Sequence, residues 1–231
     1  MIRAVFFDAV GTLLFPTPSA TTMYAEVATQ YGMTVDAKQV RSRLWTKFRE
    51  EEELDRQAGW VTSERREQER WRNIVQHCLP ASTEELFEEL YLHFAQPQAW
   101  SLAPGTGEVL WQLSQRGYTV GLASNYDSRL SAVVAGHESL APLRQNVVIS
   151  SQVGWRKPAP QFFDAVVQSA KCDPAHIVFV GDDLENDVAG ATAAGMQVVL
   201  IDPEGKHPDH ANRIALLSEL LQGQGLPSSI V

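Results

Sequence analysis

The hydrophobic pattern of this chain changes period twice. A short apolar run, Ala4-Val5-Phe6-Phe7, ends abruptly in Asp8, as a buried strand does where it opens into a loop. From about residue 19 to about residue 96 the apolar positions recur at three- and four-residue spacing, with almost no strand signal. Beyond that point, β-branched runs at 118–123, 147–150, 177–180 and 198–201 alternate with amphipathic stretches at 106–116, 128–135, 160–170, 187–194 and 211–221. Such alternation predicts βαβ units, and hence an α/β fold with a parallel sheet covered by helices on both faces. The first strand joins that sheet, so the helical stretch is an insertion immediately after it. The pattern places a core at residues 1–17 and 97–231 and an all-helical insertion at 18–96.

Within the insertion, Ser82-Thr83-Glu84-Glu85 is a capping-box pattern ahead of a stripe of Leu86, Phe87, Leu90 and Phe94. The tract from Arg41 to Arg72 mixes acids and bases at helical spacing, which predicts a solvated face. Gly59-Trp60 interrupts it, as a turn with a packing Trp or as a loop that sets an aromatic over a substrate. The tail from Gln222 to Pro227 reads as a fraying terminus.

Composition narrows the function classes. Of 231 residues, 44% are hydrophobic and 20% charged, the balance of a soluble globular protein. No stretch is long and apolar enough to span a membrane, and the first strand lacks a signal-peptide pattern, so a cytoplasmic protein is expected. Cys78 and Cys172 have neither metal-knuckle nor redox spacing. A net charge of −9 argues against a broad nucleic-acid surface, since phosphate backbones need a positive field. A small anionic substrate stays open if positive charge is focused locally. The aromatic residues of the insertion suit its own core or a dimer interface, so monomer and homodimer both stay open.

Four clusters carry chemistry. Asp8 at the mouth of a buried strand is the best nucleophile candidate, with Gly11 permitting close backbone approach and Thr12 behind it. Ser124-Asn125 follows the strand ending at Ala123 and offers a hydroxyl and an amide to an anionic oxygen. Lys157 precedes Pro158 and Pro160, the latter reading as the first residue of a helix. Gly181-Asp182-Asp183-Leu184-Glu185-Asn186-Asp187 gathers four acids after the strand at 177–180. Hard carboxylates without His or Cys nearby favour Mg²⁺. All four clusters fall at strand carboxyl ends, where open α/β sheets bind ligands.

The ordered set Asp8-x-Val10-Gly11-Thr12, Ser124-Asn125, Lys157-Pro158 and Gly181-Asp182-Asp183-x-x-x-Asp187 resembles the haloacid dehalogenase (HAD) superfamily over essentially the whole chain. The wording from Phe7 to Leu14 further resembles one subgroup within it. The resemblance implies a Rossmann-like, HAD-like core with a helical cap inserted after the first strand. It implies that Asp8 attacks the substrate, Thr12 steadies the loop, Ser124 hydrogen-bonds a transferring phosphoryl oxygen, and Lys157 neutralises charge. It places Mg²⁺ between Asp8, the backbone carbonyl of Val10 and Asp182, with Asp187 completing the shell or orienting Lys157 and Asp183 as the alternative ligand. Asn125 and Trp60 are the accompanying substrate-binding candidates.

Val10 departs from the pattern, because the superfamily's phosphatases carry a second aspartate there. Valine cannot exchange a proton with the leaving group or with water, help worth roughly 10² to 10⁴ in rate. Three readings follow: a slow or substrate-restricted Mg²⁺-dependent phosphatase that forms an aspartyl-phosphate with a small phosphorylated metabolite; a 2-haloacid dehalogenase, whose halide needs no proton; or a binding protein without turnover. The acids at 182 and 187 favour the first, since dehalogenases of this family use no Mg²⁺ and usually carry hydroxyl and amide residues at the position of Asp182.

Overall fold

A computed structural model describes residues 1–222 of the chain. Six strands form one parallel sheet: β1 (Ala4–Phe7), β4 (Thr119–Ser124), β5 (Val147–Ile149), β6 (Ile177–Gly181), β7 (Gln197–Ile201) and β8 (Arg213–Ile214). Their order is β5-β4-β1-β6-β7-β8, and every neighbouring pair is parallel. β1 and β6 are buried along their whole length, which is why they read as continuous apolar runs rather than alternating ones. Val5 and Phe7 face one core with α5 (Thr106–Gln115) and α6 (Arg129–Gly136). Ala4 and Phe6 face a second core with α8 (Pro160–Ala170), and Pro160 is its first residue as expected. The chain builds the sheet outward on one side of β1 and then on the other, so the switch in strand order opens at the carboxyl end of β1.

Between β1 and α5 the chain forms four helices: α1 (Ala20–Gln30), α2 (Ala37–Gln57), α3 (Glu64–Cys78) and α4 (Glu84–His93). They bury a third, separate core of Tyr24, Val27, Ile74, Val75, Leu86, Phe87 and Leu90. The stripe expected after the capping sequence is therefore internal, and Thr83 is the residue whose hydroxyl accepts the Leu86 N–H. The chain leaves and re-enters the core through an antiparallel ribbon, β2 (Leu14–Pro16) against β3 (Trp100–Leu102). Strands of three residues are too short to carry a readable period.

Three sequence expectations are corrected. The charged tract of α2 and α3 is solvated only in part: Glu51 is 0% exposed and Asp55 and Arg70 are each 1%, while Glu50, Glu53, Arg65 and Glu69 face solvent. The helix expected at 187–194 is a wide π-helical turn at Leu184–Ala189 followed by the single turn α9 (Gly190–Ala193). The N–H groups of both Asp187 and Val188 reach the Asp183 carbonyl there, which opens the turn and carries Asp187 inward. The helix expected at 211–221 is instead β8 and a 3-10 turn at Leu217–Gln222, because pairing with β7 lets Ile214, Leu217 and Leu220 close the edge of the core. The expected fraying at 223–227 lies outside the described residues. Among those described, no helix is long and apolar enough to cross a membrane.

Candidate active site

β1 delivers Asp8 to the open end of the sheet, anchored by its own N–H to the Val180 carbonyl at 2.8 Å. The chain then doubles back, with the Leu13 and Leu14 N–H groups both bonding the Ala9 carbonyl at 2.8 Å. Gly11 sits in this turn at φ +97°, and a Cβ there would lie 2.5 Å from Asp182 Oδ2. Glycine is thus what admits the Asp182 carboxylate beside the loop. Thr12 Oγ1 completes that contact by donating to Asp182 Oδ1 at 3.0 Å.

Side chains from the end of β4, from the loop before α8 and from the segment after β6 converge around Asp8. Ser124, the last residue of β4, donates its hydroxyl to Asp8 Oδ1 at 3.0 Å. Lys157 Nζ lies 2.6 Å from Asp8 Oδ1 and 2.6 Å from Asp187 Oδ1, fully buried between them. Asp8, Asp182 and Asp187 each offer an oxygen, and these atoms all lie within 4.8 Å of one another. Burial, then the Asp8 charge, pushes Asp182 up to about 6. Burial and the same neighbour hold Asp187 above the ordinary carboxylate range although Lys157 opposes them. Burial works against the Lys157 ammonium, but the Asp187 and Asp8 carboxylates overcome it and hold its pKa above the ordinary lysine value. Crowded oxygen donors with unbalanced repulsion are the donor set of a hard divalent cation, and the three residues could hold one.

Of the remaining expected residues, Asp183, Asn125 and Val10 line the cleft and Trp60 does not. Asp183 Oδ1 caps the π-helical turn, accepting from the Glu185 and Asn186 N–H groups at 2.8 Å, and its carboxylate stands outside the cluster of three. Asn125 grips the Lys157 backbone at both ends, donating to its carbonyl at 3.0 Å and accepting from its N–H at 2.7 Å. Val10 is 39% exposed and lines the cleft beside Asp8 and Gly11. Trp60 does not line the cleft; its carbonyl accepts the Arg156 N–H at 2.9 Å, which docks the Gly59-Trp60 turn on the core instead, with Arg56 5.2 Å over its ring.

Above Asp8 the cleft widens into a cavity of about 400 Å³ between core and helical insertion. Its upper wall carries Trp45, Phe48, Trp71, Phe87 and Phe94. Beside it runs a buried ion cluster that no motif marked. Arg70 pairs with Asp55, Arg66 with Glu51 and Asp55 at 2.8 and 2.7 Å, and Arg156 with Glu67. Glu51 and Asp55, and Arg66 and Arg70, are each four apart, so the available signal was a pair of facing helical stripes of opposite charge. α2 also reaches the acidic loop directly, through Glu52 to Asn186 at 2.9 Å and Arg56 to Glu185 at 2.6 Å.

Residues 2–195 match the family model for haloacid dehalogenase-like hydrolase. Haloacid dehalogenase-like hydrolase domain-containing protein 3 of Bos taurus is 26% identical over 221 residues, covering 90% of this chain and 85% of that protein. Ribulose-1,5-bisphosphate 5-phosphatase of Halopiger xanaduensis is 32% identical over 117 residues, half of this chain and 49% of that protein. The solved structure of an L-2-haloacid dehalogenase superposes with a TM-score of 0.77 at 20% identity, covering 96% of this chain and 97% of its own, a likeness of fold. The family match, covering the helical insertion and the sheet strands β1, β4, β5 and β6, makes this chain a member of the haloacid dehalogenase-like hydrolases.

Proposed function

We propose that the protein is a Mg²⁺-dependent phosphatase that works through an aspartyl-phosphate on Asp8, with residues 18–96 acting as a cap over the site. The observation that carries this reading is the trio Asp8, Asp182 and Asp187 within 4.8 Å, with one lysine shared between two of them. Two carboxylates beside the nucleophile would repel an anionic substrate unless a cation intervened. A dehalogenase, which binds an anionic carboxylate without metal, has no use for the Asp182 carboxylate in that trio.

Asp8, the Val10 carbonyl, Asp182 and Asp187 would hold Mg²⁺, which supplies positive charge to the phosphoryl oxygens when bound. The Ser124 and Lys157 bonds both fall on Asp8 Oδ1, which leaves Oδ2 as the attacking atom. Ser124 and Lys157 also face the incoming phosphoryl group, so they offset the charge that spreads over its oxygens. Asn125 positions Lys157 by its backbone rather than binding substrate. Val10 supplies no proton, so alkoxide departure and water attack both lose a contribution of about 3 to 5 kcal/mol.

Phosphate release from acetyl phosphate, phenyl phosphate and sugar phosphates, with Mg²⁺ or chelator, tests this reading. The expected result is slow, Mg²⁺-dependent release that Asp8→Asn abolishes and Val10→Asp raises by about 10² on alkyl substrates. Mass spectrometry of quenched wild type should show a phosphorylated Asp8. Chelator-insensitive chloride release from 2-chloropropionate, without phosphate release, overturns it.

A further inference from the structure

Resting on the phosphatase reading, we infer that the substrate is an aryl phosphate monoester: a phosphate on a phenolic oxygen, carried by a flat apolar ring system with few hydroxyls. Two independent features meet in this class. The first is the cavity above Asp8, whose 400 Å³ suits a small molecule and whose upper wall is formed by Trp45, Phe48, Trp71, Phe87 and Phe94. Aromatic walls of this kind pack ring faces and edges against a ring-shaped guest.

Most of the polar groups that interrupt this wall are already engaged, the buried Arg70 Nη2 being one that is not. Tyr91 donates its hydroxyl to Asp127 at 3.3 Å, and Tyr126 and Trp100 both donate to the Phe94 carbonyl, at 3.3 and 3.1 Å. The Arg129 guanidinium binds Asp127 with two bonds of 2.7 Å and the Tyr91 carbonyl at 2.8 Å. Glu67 accepts from Thr62 at 2.8 Å and from Arg156. A sugar placed here would strip water from its hydroxyls and find few partners, each loss costing about tenfold in affinity. An aromatic body incurs no such loss.

The second feature is Val10, which borders the same cleft without a proton to give. An aryl ester does not need one. Asp8 Oδ2 attacks phosphorus, the bond from phosphorus to the phenolic oxygen breaks, and its electron pair leaves on a phenolate. The parent acid has a pKa of about 10, as in a tyrosine side chain, so solvent supplies the proton afterwards. Water then attacks the aspartyl-phosphate, returning the Asp8 carboxylate and releasing inorganic phosphate. An alkoxide, far more basic, would depart without assistance only slowly.

The test compares 2-naphthyl phosphate, phenyl phosphate, ribose 5-phosphate and acetyl phosphate on the wild-type protein with Mg²⁺. In parallel, calorimetry on Asp8→Asn measures binding of 2-naphthylmethylphosphonate and ribose 5-phosphate, where leaving-group chemistry plays no part. The expected kcat/KM favours 2-naphthyl phosphate over ribose 5-phosphate by about 100-fold, and the phosphonate binds at least about tenfold more tightly than the sugar. Trp71→Ala, which removes one wall, should narrow both gaps. Equal or tighter binding of ribose 5-phosphate, or equal kcat/KM for sugar and aryl esters, overturns the inference, and continued release from acetyl phosphate leaves the phosphatase reading intact. No release from any of the four, acetyl phosphate included, overturns that reading and the inference with it.

Discussion

Lys157 is the residue on which the buried charges of the site balance. Replacing it in Lys157→Met leaves Asp8 and Asp187 facing each other without a cation, and removing one partner of a buried pair typically costs about 3 to 5 kcal/mol. Urea denaturation in chelator should show that loss, and added Mg²⁺ should recover part of it by mass action. Gly11→Ala is the sharper probe of the cleft. The new methyl group meets the Asp182 carboxylate, and the backbone sits at φ +97°, so metal affinity measured by calorimetry should fall while the sheet stays folded by circular dichroism. At this scale the sequence was most informative where chemistry and position coincide: Asp8, Ser124, Lys157, Asp182 and Asp187 could each be marked as an acid, base or hydroxyl at a strand end. It was least informative where a role depends on direction. Nothing in the letters says that the Asn125 amide turns back on the Lys157 backbone, or that Trp60 does not line the cleft.

Elements explain why the charged helices were misread. Helical period reveals which residues share a face, but the partner that decides whether the face is wet lies on another helix, 15 residues away for Asp55 and Arg70. Arg70→Met should therefore destabilise by about 3 to 5 kcal/mol, since it leaves the Asp55 carboxylate buried without its innermost partner, whereas Arg56→Ala should leave stability nearly unchanged despite its 2.6 Å contact with Glu185, because solvent screens that pair. Urea midpoints for the two variants check the contrast. The ribbon of β2 and β3 escaped notice for a different reason: pairing 84 to 88 residues apart in sequence replaces local propensity as its cause.

Across the whole molecule, the parallel sheet was legible because strands buried on both faces must be apolar throughout, and the helical insertion because its period changes to 3.6. The edge was not, since the two residues of β8 gain their shape only by pairing. Whole-molecule stability should carry the mark of the acidic cluster. Asp182 binds a proton more tightly folded than unfolded, so its contribution is present below the ordinary carboxylate range near pH 4 and is lost as pH rises through about 6. In chelator the thermal midpoint of wild type relative to Asp182→Asn should fall over that window, and saturating Mg²⁺ should remove the fall. Neighbours in sequence also tie the two halves together: Arg156 pairs with Glu67 of the insertion, and Lys157, one peptide bond later, pairs with Asp8. The insertion is consequently not an interchangeable part. A chimaera that imports residues 18–96 from a relative lacking the Asp55 and Glu67 carboxylates would strand a guanidinium next to Lys157, so a working transplant has to carry residue 156 along with the helices.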